Sequence, residues 1–183
     1  MSEERADIDI HPLEGDDDHI VDRLWQLYVH DLSQLRGSLP NEQGLFKIGH
    51  LQWFRDEPDN WKGFLVRFHG LPVGFAYVGI NWRGDRRTIG EFFIVRGARR
   101  RGAGEFVART LIGRYPGAWE IAFQDDNHGA PQFWTRVVSG IVGAAWREEW
   151  RPVPNKPEIA PDRWLMFDMP APSEPAAPTS DRA

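Results

Sequence analysis

The chain has 183 residues, of which 41% are hydrophobic and 27% charged, and its formal net charge is -5. A chain of this length and composition forms one globular domain, and its negative charge disfavours binding to nucleic acid or to an anionic membrane. Because the chain has no cysteine, disulfides, thiolate catalysis and cysteine-ligated zinc are excluded.

The N-terminal part of the chain predicts a strand followed by a long helix. The segment MSEERADIDIHP has no apolar core of the kind that a signal peptide needs, and no apolar run approaches the roughly 20 residues of a membrane span. We therefore expect a cytoplasmic protein. Residues 6–13 alternate apolar and acidic positions, as a half-exposed strand does. Aspartates 16–18 suit the first turn of the helix, which Gly37 and Pro40 end.

The middle of the chain predicts three strands. Residues 41–62 show no clear period and are interpreted as a loop with a short helix. The runs 63–70 and 71–81 have strand-like composition and meet at His69-Gly70, which predicts a hairpin. A third strand, 87–97, is strongly apolar towards its end.

The last part of the chain alternates helices and strands. In chain order we predict a helix over 104–115, a strand over 118–124, a helix over 127–140 and a final strand pair over 145–152 and 163–169. Asn127 is the candidate N-cap of the second of these helices and Gly140 its stop. The order β-α-α-β-β-β-α-β-α-β-β predicts a mixed α+β (α/β) fold in one domain, 1–169, followed by a disordered Pro/Ala-rich tail, 170–183.

A cluster of arginines and glycines stands between a predicted strand and a predicted helix, in VRGARRRGAGEFVART (95–110). The first amides of a helix have no intrahelical acceptor, glycines let a ligand approach the backbone, and arginine suits phosphate geometry. This junction therefore predicts a phosphate site. The dinucleotide pattern G-x-G-x-x-G fails at Val107, and the Walker pattern fails because the loop has no lysine. The stretch from Arg99 to Gly104 reads R-x-x-G-x-G.

That six-residue pattern resembles the pyrophosphate loop of the GNAT superfamily of acyl-CoA-dependent N-acyltransferases. A second stretch, Asn127 to Trp134, is similar to the family's N-x-x-A-x-x-F-Y signature, with tryptophan in place of the tyrosine. The resemblance covers about residues 7–169, and it implies a GNAT-type fold with a largely antiparallel mixed sheet flanked by helices.

The resemblance also implies acetyl-CoA as cofactor, lying in a splay between strand 87–97 and strand 118–124. Ile94 would offer main-chain groups to the pantetheine, and its amide would stabilise the oxyanion formed from the thioester. The implied cofactor-binding residues are Ile94, Val95, Arg99, Arg100, Arg101, Gly102, Ala103, Gly104, Asn127, Phe133 and Trp134.

In the family an amine attacks the thioester directly, so a base must remove the proton of the amine. Glu91, on the strand that contains Ile94, is the candidate base, acting through water. The other interpretation is that Glu91 only pairs with a nearby arginine. Trp134 cannot replace the family's tyrosine as an acid, because an indole N–H does not protonate a leaving group. Water, Tyr77 or Tyr28 remain candidates.

The acceptor is predicted to be a primary amine, in a small molecule or a peptide, and the acidic surface favours a cationic one. Tyr28, Asp31, Trp82 and Glu91 are the candidate acceptor-binding residues. The histidines show no metal-ligand spacing, so no metal site is predicted. The family resemblance is compatible with a homodimer.

Two other function classes stay open at this point. The tryptophan at position 134 keeps a non-catalytic, acyl-CoA-binding module as an alternative. An arginine-rich loop can also bind a nucleotide or a nucleic acid, although the missing Walker and dinucleotide patterns speak against that alternative.

Overall fold

A seven-stranded mixed sheet carries the fold, with the strand order β1-β2-β3-β4-β5-β7-β6. Residues 7–99, 102–154 and 156–171 are described by the structure, a computed structural model. The strands in these ranges are β1 Ile8–Pro12, β2 Trp61–Phe68, β3 Leu71–Trp82, β4 Arg86–Ile94, β5 Gly117–Phe123, β6 Trp146–Arg151 and β7 Asp162–Met169. All neighbouring strands are antiparallel except β4 and β5, which are parallel. The predicted fold class is confirmed.

The helices flank this sheet on both faces. They are α1 Asp18–Arg36, α2 His50–Asp56, α3 Arg96–Arg99, α4 Ala103–Gly113 and α5 Ala130–Val142. The short helix predicted within residues 41–62 is α2. The prediction missed α3, because its one turn directly follows β4 and reads in the sequence as the end of that strand.

Two predicted boundaries of α5 were wrong. The helix begins at Ala130, with Gly129 at the N-cap, so Asn127 lies in the preceding turn. It continues through Gly140 to Val142. The missing side chain of Gly140 makes room for Arg109 of α4, whose Nη1 donates to the Gly140 carbonyl at 3.2 Å. Gly140 therefore serves helix packing rather than helix termination.

The β2–β3 hairpin is present as predicted. His69 and Gly70 form the turn, with φ angles of 49° and 76°, and positive φ at both positions matches the right-handed twist of the strands that they join.

Each face of the sheet packs a separate apolar cluster. One face carries α4 and α5, whose fully buried Val107, Leu111 and Val137 pack with Ile94 and Trp119. The other face carries α1 and α2, where Val21, Leu24, Leu51 and Phe54 pack with Phe93 and other strand residues. Because β4 contributes to both clusters, alternate residues of this strand face different surroundings.

A bulge at Gly90 changes the direction of the side chains along β4. Ile89 pairs with Val78 and Glu91 pairs with Tyr77, so Gly90 is the extra residue. As a result Ile89 belongs to the α4–α5 face, whereas Glu91 contacts α1 and α2 on the other. A Cβ on Gly90 would lie 2.4 Å from Cζ3 of Trp61, so only glycine fits here without movement.

No helix in the described part of the chain is long and apolar enough to cross a membrane. The predicted disordered tail lies outside the described residues except for Pro170 and Ala171.

Candidate active site

The strands β4 and β5 diverge in the middle of the sheet, as the family resemblance implied. Within the described ranges they pair at one position, Arg87 with Trp119, whereas the other edge of β5 pairs with β7 along the whole strand. The amide of Val95 donates to the Val73 carbonyl of β3 at 2.8 Å. Backbone groups alternate in direction along a strand, so the N–H and C=O of Phe92 and Ile94 face the gap on the β5 side.

The hydrogen bonds of β4 distinguish between two residues that were predicted to bind the cofactor. Ile94 directs main-chain groups into the gap, as the prediction requires. Val95 has its amide engaged by β3 instead, and so it offers no free main-chain donor to a ligand in the gap.

The glycine loop reaches α4 beside the end of β4. Gly102 is the N-cap of α4 with a φ of 76°, a left-handed conformation that favours glycine. Ala103 and Gly104 are buried in the first turn, and the Phe106 amide donates to the Gly102 carbonyl in the α-helical manner. The amides before Phe106 thus begin the helix without an intrahelical acceptor. Arg100 and Arg101 lie outside the described residues.

Arg99 lies at the end of α3 and is held by protein groups. Its Nε donates to the Ile94 carbonyl at 2.6 Å, and its Nη2 pairs with the Asp31 carboxylate of α1. Asp31 also binds Nη2 of Arg96 at 3.0 Å. Partial burial on its own would raise the pKa of Asp31, but the hydrogen bonds and charges of the two arginines lower it below its ordinary value. Asp31, predicted as an acceptor residue, therefore joins α1 to the arginine loop.

The two motifs that carry the resemblance meet in space. A Cβ on Gly104 would lie 3.3 Å from Cε2 of Phe133 and 3.9 Å from Cγ1 of Ile94, so the glycine loop packs directly on α5 and β4. The ring of Phe92 lies 5.6 Å from that of Phe133 and 5.4 Å from that of Trp134. These aromatic side chains fill the α4–α5 side of the gap.

Asn127 lies in the turn between β5 and α5, a few residues before Phe133 and Trp134. Its main chain is engaged locally: its amide donates to the Gln124 carbonyl, and its carbonyl accepts from the Ala130 amide at 2.7 Å. Asn127 is partly exposed.

On the opposite face of β4, Glu91 forms a polar group with Tyr28 and His50. The Glu91 side chain is only 8% exposed. Its Oε2 accepts a hydrogen bond from the Tyr28 hydroxyl of α1, and its Oε1 lies 3.7 Å from Nδ1 of His50, the first residue of α2. Among the described residues Glu91 thus contacts a tyrosine and a histidine, and the arginine pairing considered from the sequence is not observed there.

Burial has the largest effect on the tyrosines around this carboxylate. It raises the pKa of Tyr28 well above the ordinary value, and the charge of Glu91 adds to the increase. Burial likewise raises the pKa of Tyr77, the cross-strand neighbour of Glu91, to about 12, although the nearby Arg55 guanidinium acts in the opposite direction. Both tyrosines are therefore neutral at physiological pH.

The remaining predicted acceptor residue is Trp82, the last residue of β3. Only its backbone belongs to the described structure. The described residues contain no group of three or more histidine, aspartate or glutamate side chains that could hold a metal ion.

The residue that the sequence prediction missed is His50. It lies in the stretch for which no hydrophobic period was found, and 41 positions of chain separate it from Glu91. A histidine directly before the apolar pair of a short helix, at Leu51 and Phe54, is the only local signal of its position.

Solved structures share this fold across most of the chain. An acetyltransferase from Thermus thermophilus superposes with a TM-score of 0.65 at 16% identity, covering 88% of this chain and 96% of that one. The ribosomal-protein-S18-alanine N-acetyltransferase from Escherichia coli gives a TM-score of 0.60 at 13% identity, with 91% and 97% covered. The protein yncA from Salmonella typhimurium, solved with its cofactor acetyl-CoA, gives 0.60 at 12% identity, with 93% and 99% covered.

At these low sequence identities, the structural matches show that the fold is shared. No curated protein has a sequence that matches the chain significantly. The model of the acetyltransferase (GNAT) family, however, matches residues 21–138, which include most of α1, the arginine–glycine loop and most of α5. The match covers more than half of the chain and spans both sequence motifs. The chain therefore belongs to the acetyltransferase (GNAT) family.

Proposed function

We propose that the protein is an N-acetyltransferase that binds acetyl-CoA and a primary amine together and transfers the acetyl group by direct attack of the amine. The observation that carries this proposal is the gap between β4 and β5, into which Ile94 and Phe92 direct main-chain groups. The glycine loop lies beside Ile94 near the end of β4, and the Glu91 side chain lies on the α1–α2 face of the same strand. Family membership and the acetyl-CoA bound to yncA support the same cofactor.

The cofactor would occupy this gap like an added strand. Its pantetheine arm would bond to the main-chain groups that Phe92 and Ile94 direct into the gap, where the Ile94 carbonyl also accepts a hydrogen bond from Arg99. Its pyrophosphate would meet the amides of Gly102 to Gly104 at the start of α4. Arg99 and Arg96 add positive charge at that end. Arg100 and Arg101, which follow Arg99 in the sequence, are proposed to bind the pyrophosphate as well. Phe92, Phe133 and Trp134 give the arm an apolar wall.

Glu91 is the proposed base. A primary amine has a pKa of about 10.4 in lysine, so it arrives protonated and must lose a proton before it attacks. Glu91 is held by Tyr28 at one oxygen, which orients the carboxylate, and its position on β4 places it three residues from Ile94. The Ile94 amide would then donate to the oxyanion of the tetrahedral intermediate.

The contacts of Tyr28 and the chemistry of Trp134 favour water over a side chain as the source of the proton for the leaving thiolate. Tyr28 already donates its hydroxyl proton to Glu91, and Trp134 has no acidic group. A thiol has a pKa of about 8.5, so the thiolate leaves without strong acid assistance. The acceptor itself is proposed to be a cationic amine, because the chain has a net charge of -5.

The test is a calorimetric titration of acetyl-CoA into the wild-type protein and two arginine variants. We expect saturable binding by the wild type and a loss of about tenfold or more in Arg99→Ala, because the charge and the support of the Ile94 carbonyl are both removed. Arg147→Ala is the matched control, since Arg147 is exposed on β6, the edge strand of the sheet. Absence of saturable wild-type binding would contradict the proposed cofactor.

A second candidate function is an acyl-CoA-binding module without turnover, and Trp134 in place of the family's tyrosine is the observation that favours it. The two functions separate in an assay of CoA release from acetyl-CoA over a panel of primary amines. Release with any amine supports the transferase, whereas tight binding without release supports the binding module.

A further inference from the structure

Two side chains among the described residues form polar contacts with Glu91, and His50 is the more exposed of them. Glu91 is 8% exposed, whereas the His50 side chain, whose Nδ1 lies 3.7 Å from Glu91 Oε1, is 74% exposed. Tyr28 covers the other oxygen from α1 and packs between the rings of Phe75 and Phe93. His50 therefore lies between a buried acid and the solvent-exposed surface at the side where α2 begins.

The position of His50 is fixed by its neighbours rather than by its own packing. Leu51 is fully buried and Phe54 nearly so, and both anchor α2 against Trp61 in the apolar cluster of this face. The amide of Leu51 donates to the Ile48 carbonyl at 2.8 Å, which holds the turn that begins the helix. The imidazole is thus presented to Glu91 by an anchored helix although its own side chain is largely exposed.

The proton balance of the proposed reaction creates a need for such a group. A protonated amine and acetyl-CoA give an amide, a thiol and one proton. Of the two protons that the amine loses, one balances the proton that the departing sulfur takes up from water. Glu91 takes the other, which must then leave the site. A largely buried carboxylate exchanges protons with bulk water slowly, and a second group that accepts the proton speeds its release.

The neighbouring tyrosines do not provide that second group. Burial keeps the pKa of Tyr28 well above its ordinary value, and its hydroxyl already donates to Glu91. Tyr77, which faces Glu91 across the β3–β4 pair, is buried and has a pKa of about 12. The charges that act on Tyr77 come from Arg55, Asp18 and Asp22, so they belong to a different group of side chains.

We propose that His50 is a proton-relay residue, which takes from Glu91 the proton removed from the acceptor amine and releases it to solvent. His50 acts through Glu91 and does not touch the reacting atoms, so it is a positioning and relay group rather than a catalytic one. An imidazole suits this task because a ring nitrogen can either accept or donate a proton. The inference rests on the proposed acetyltransferase function.

The test compares His50→Gln with the wild type at low buffer concentration, with and without added imidazole. Glutamine is a polar side chain of similar size that cannot carry a proton. We expect kcat to fall about tenfold, less than the roughly 100-fold or greater loss for a missing base in Glu91→Gln. The KM for acetyl-CoA should be unchanged, and free imidazole should restore the rate of His50→Gln in a saturable way.

Two controls make the result specific. His69→Gln changes an exposed histidine in the β2–β3 turn, and we expect neither a loss of rate nor an effect of imidazole. In Glu91→Gln and in the Glu91→Gln/His50→Gln double variant, imidazole should restore nothing, and the double variant should be no slower than Glu91→Gln alone.

The outcomes distinguish the two levels of the proposal. A wild-type protein that releases no CoA with any amine overturns the transferase function and the relay together. An active wild type whose His50→Gln variant keeps its rate, or loses rate that imidazole does not restore, overturns the relay alone. Multiplicative losses in the double variant also overturn it, because they would show that His50 does not act through Glu91.

Discussion

Asp31 illustrates how one side chain can connect two parts of a site. From its position on α1, Asp31 binds both Arg99 and Arg96. Arg99 in turn donates a hydrogen bond to the carbonyl of Ile94. An aspartate near a phosphate site has two opposite effects. Its charge repels the phosphate, whereas its hydrogen bonds fix the arginines and the loop in one arrangement before the ligand arrives.

These two effects predict opposite changes in the affinity for acetyl-CoA when Asp31 is replaced in Asp31→Asn. We expect acetyl-CoA to bind about fivefold to tenfold more weakly, a change of about 1 kcal/mol, because the loop loses its anchor on α1. Calorimetric titration measures this difference. Asp85→Asn, in the exposed β3–β4 turn, makes the same change in charge away from the loop and should leave the affinity unchanged. Tighter binding by Asp31→Asn would mean that repulsion outweighs positioning.

At the scale of the elements, the bulge in β4 is what separates the two functions of this strand. Ile89 and Ile94 face α4 and α5, while Glu91 faces α1 and α2. Without the extra residue at Gly90, Ile89 and Glu91 would share a face. The bulge therefore lets one strand contribute to the apolar core on one side of the sheet and carry the proposed base on the other.

We expect Gly90→Ala to destabilise the protein by about 1–3 kcal/mol, because its new methyl group would lie 2.4 Å from Trp61 and 3.0 Å from Phe54. Equilibrium unfolding in urea measures this loss. Gly97→Ala in α3 is the matched control: a Cβ there meets nothing within 4 Å, so its stability should equal or slightly exceed that of the wild type. Equal stabilities of the two variants would show that the bulge tolerates a side chain.

The sequence predicted the elements whose hydrophobic pattern extends over several turns or along a whole strand. The helix α1 and the β2–β3 hairpin lie where the periodicity and the turn residues indicated them. The one-turn helix α3 and the bulge at Gly90 escaped prediction because each is too short to impose a period. The bulge arises from the way in which β3 and β4 pair, and no local sequence pattern indicates it.

The residues of the candidate site likewise divide into those that the sequence predicted and those that it did not. The arginine–glycine loop and the Asn127–Trp134 stretch were found because each is a contiguous motif, and the structure brings Gly104 of the first onto Phe133 of the second and beside Ile94. The contacts of individual side chains were not found. Tyr28 and Glu91 are 63 positions apart, and Arg99 and Asp31 are 68 positions apart, so only the folded arrangement of α1 over β4 joins them.

At the scale of the whole molecule, the tyrosines near Glu91 predict how stability depends on alkaline pH. A tyrosine with a pKa of about 12 in the folded state and 10.0 in the unfolded state binds its proton more tightly when folded. Its contribution to stability is fully present below pH 10 and decreases as the pH rises from 10 through 12. For Tyr77 the full loss is about 3 kcal/mol, and Tyr28 acts in the same direction.

We expect Tyr77→Phe to flatten this alkaline decrease, because the variant has no phenol to ionise at that position. Urea unfolding at a series of pH values between about 9 and 12 measures the slope. Tyr115→Phe is the comparison, since Tyr115 is only partly buried and should change the slope less. A Tyr77→Phe variant with the wild-type slope would assign the alkaline loss to other groups.

The single pairing of β4 with β5 also has a consequence for how the fold opens. Strands β1 to β4 form one antiparallel unit and β5, β7 and β6 form another, and within the described ranges the ladder crosses between them at Arg87 and Trp119 alone. Amide exchange should therefore reveal two cooperative units, each protected by its own ladder. A ligand bound between the two units would bond to both of them. Its binding would therefore slow amide exchange in both units at the same time. The free protein is thus expected to open along the unpaired stretch between β4 and β5, and a ligand bound there becomes part of the sheet.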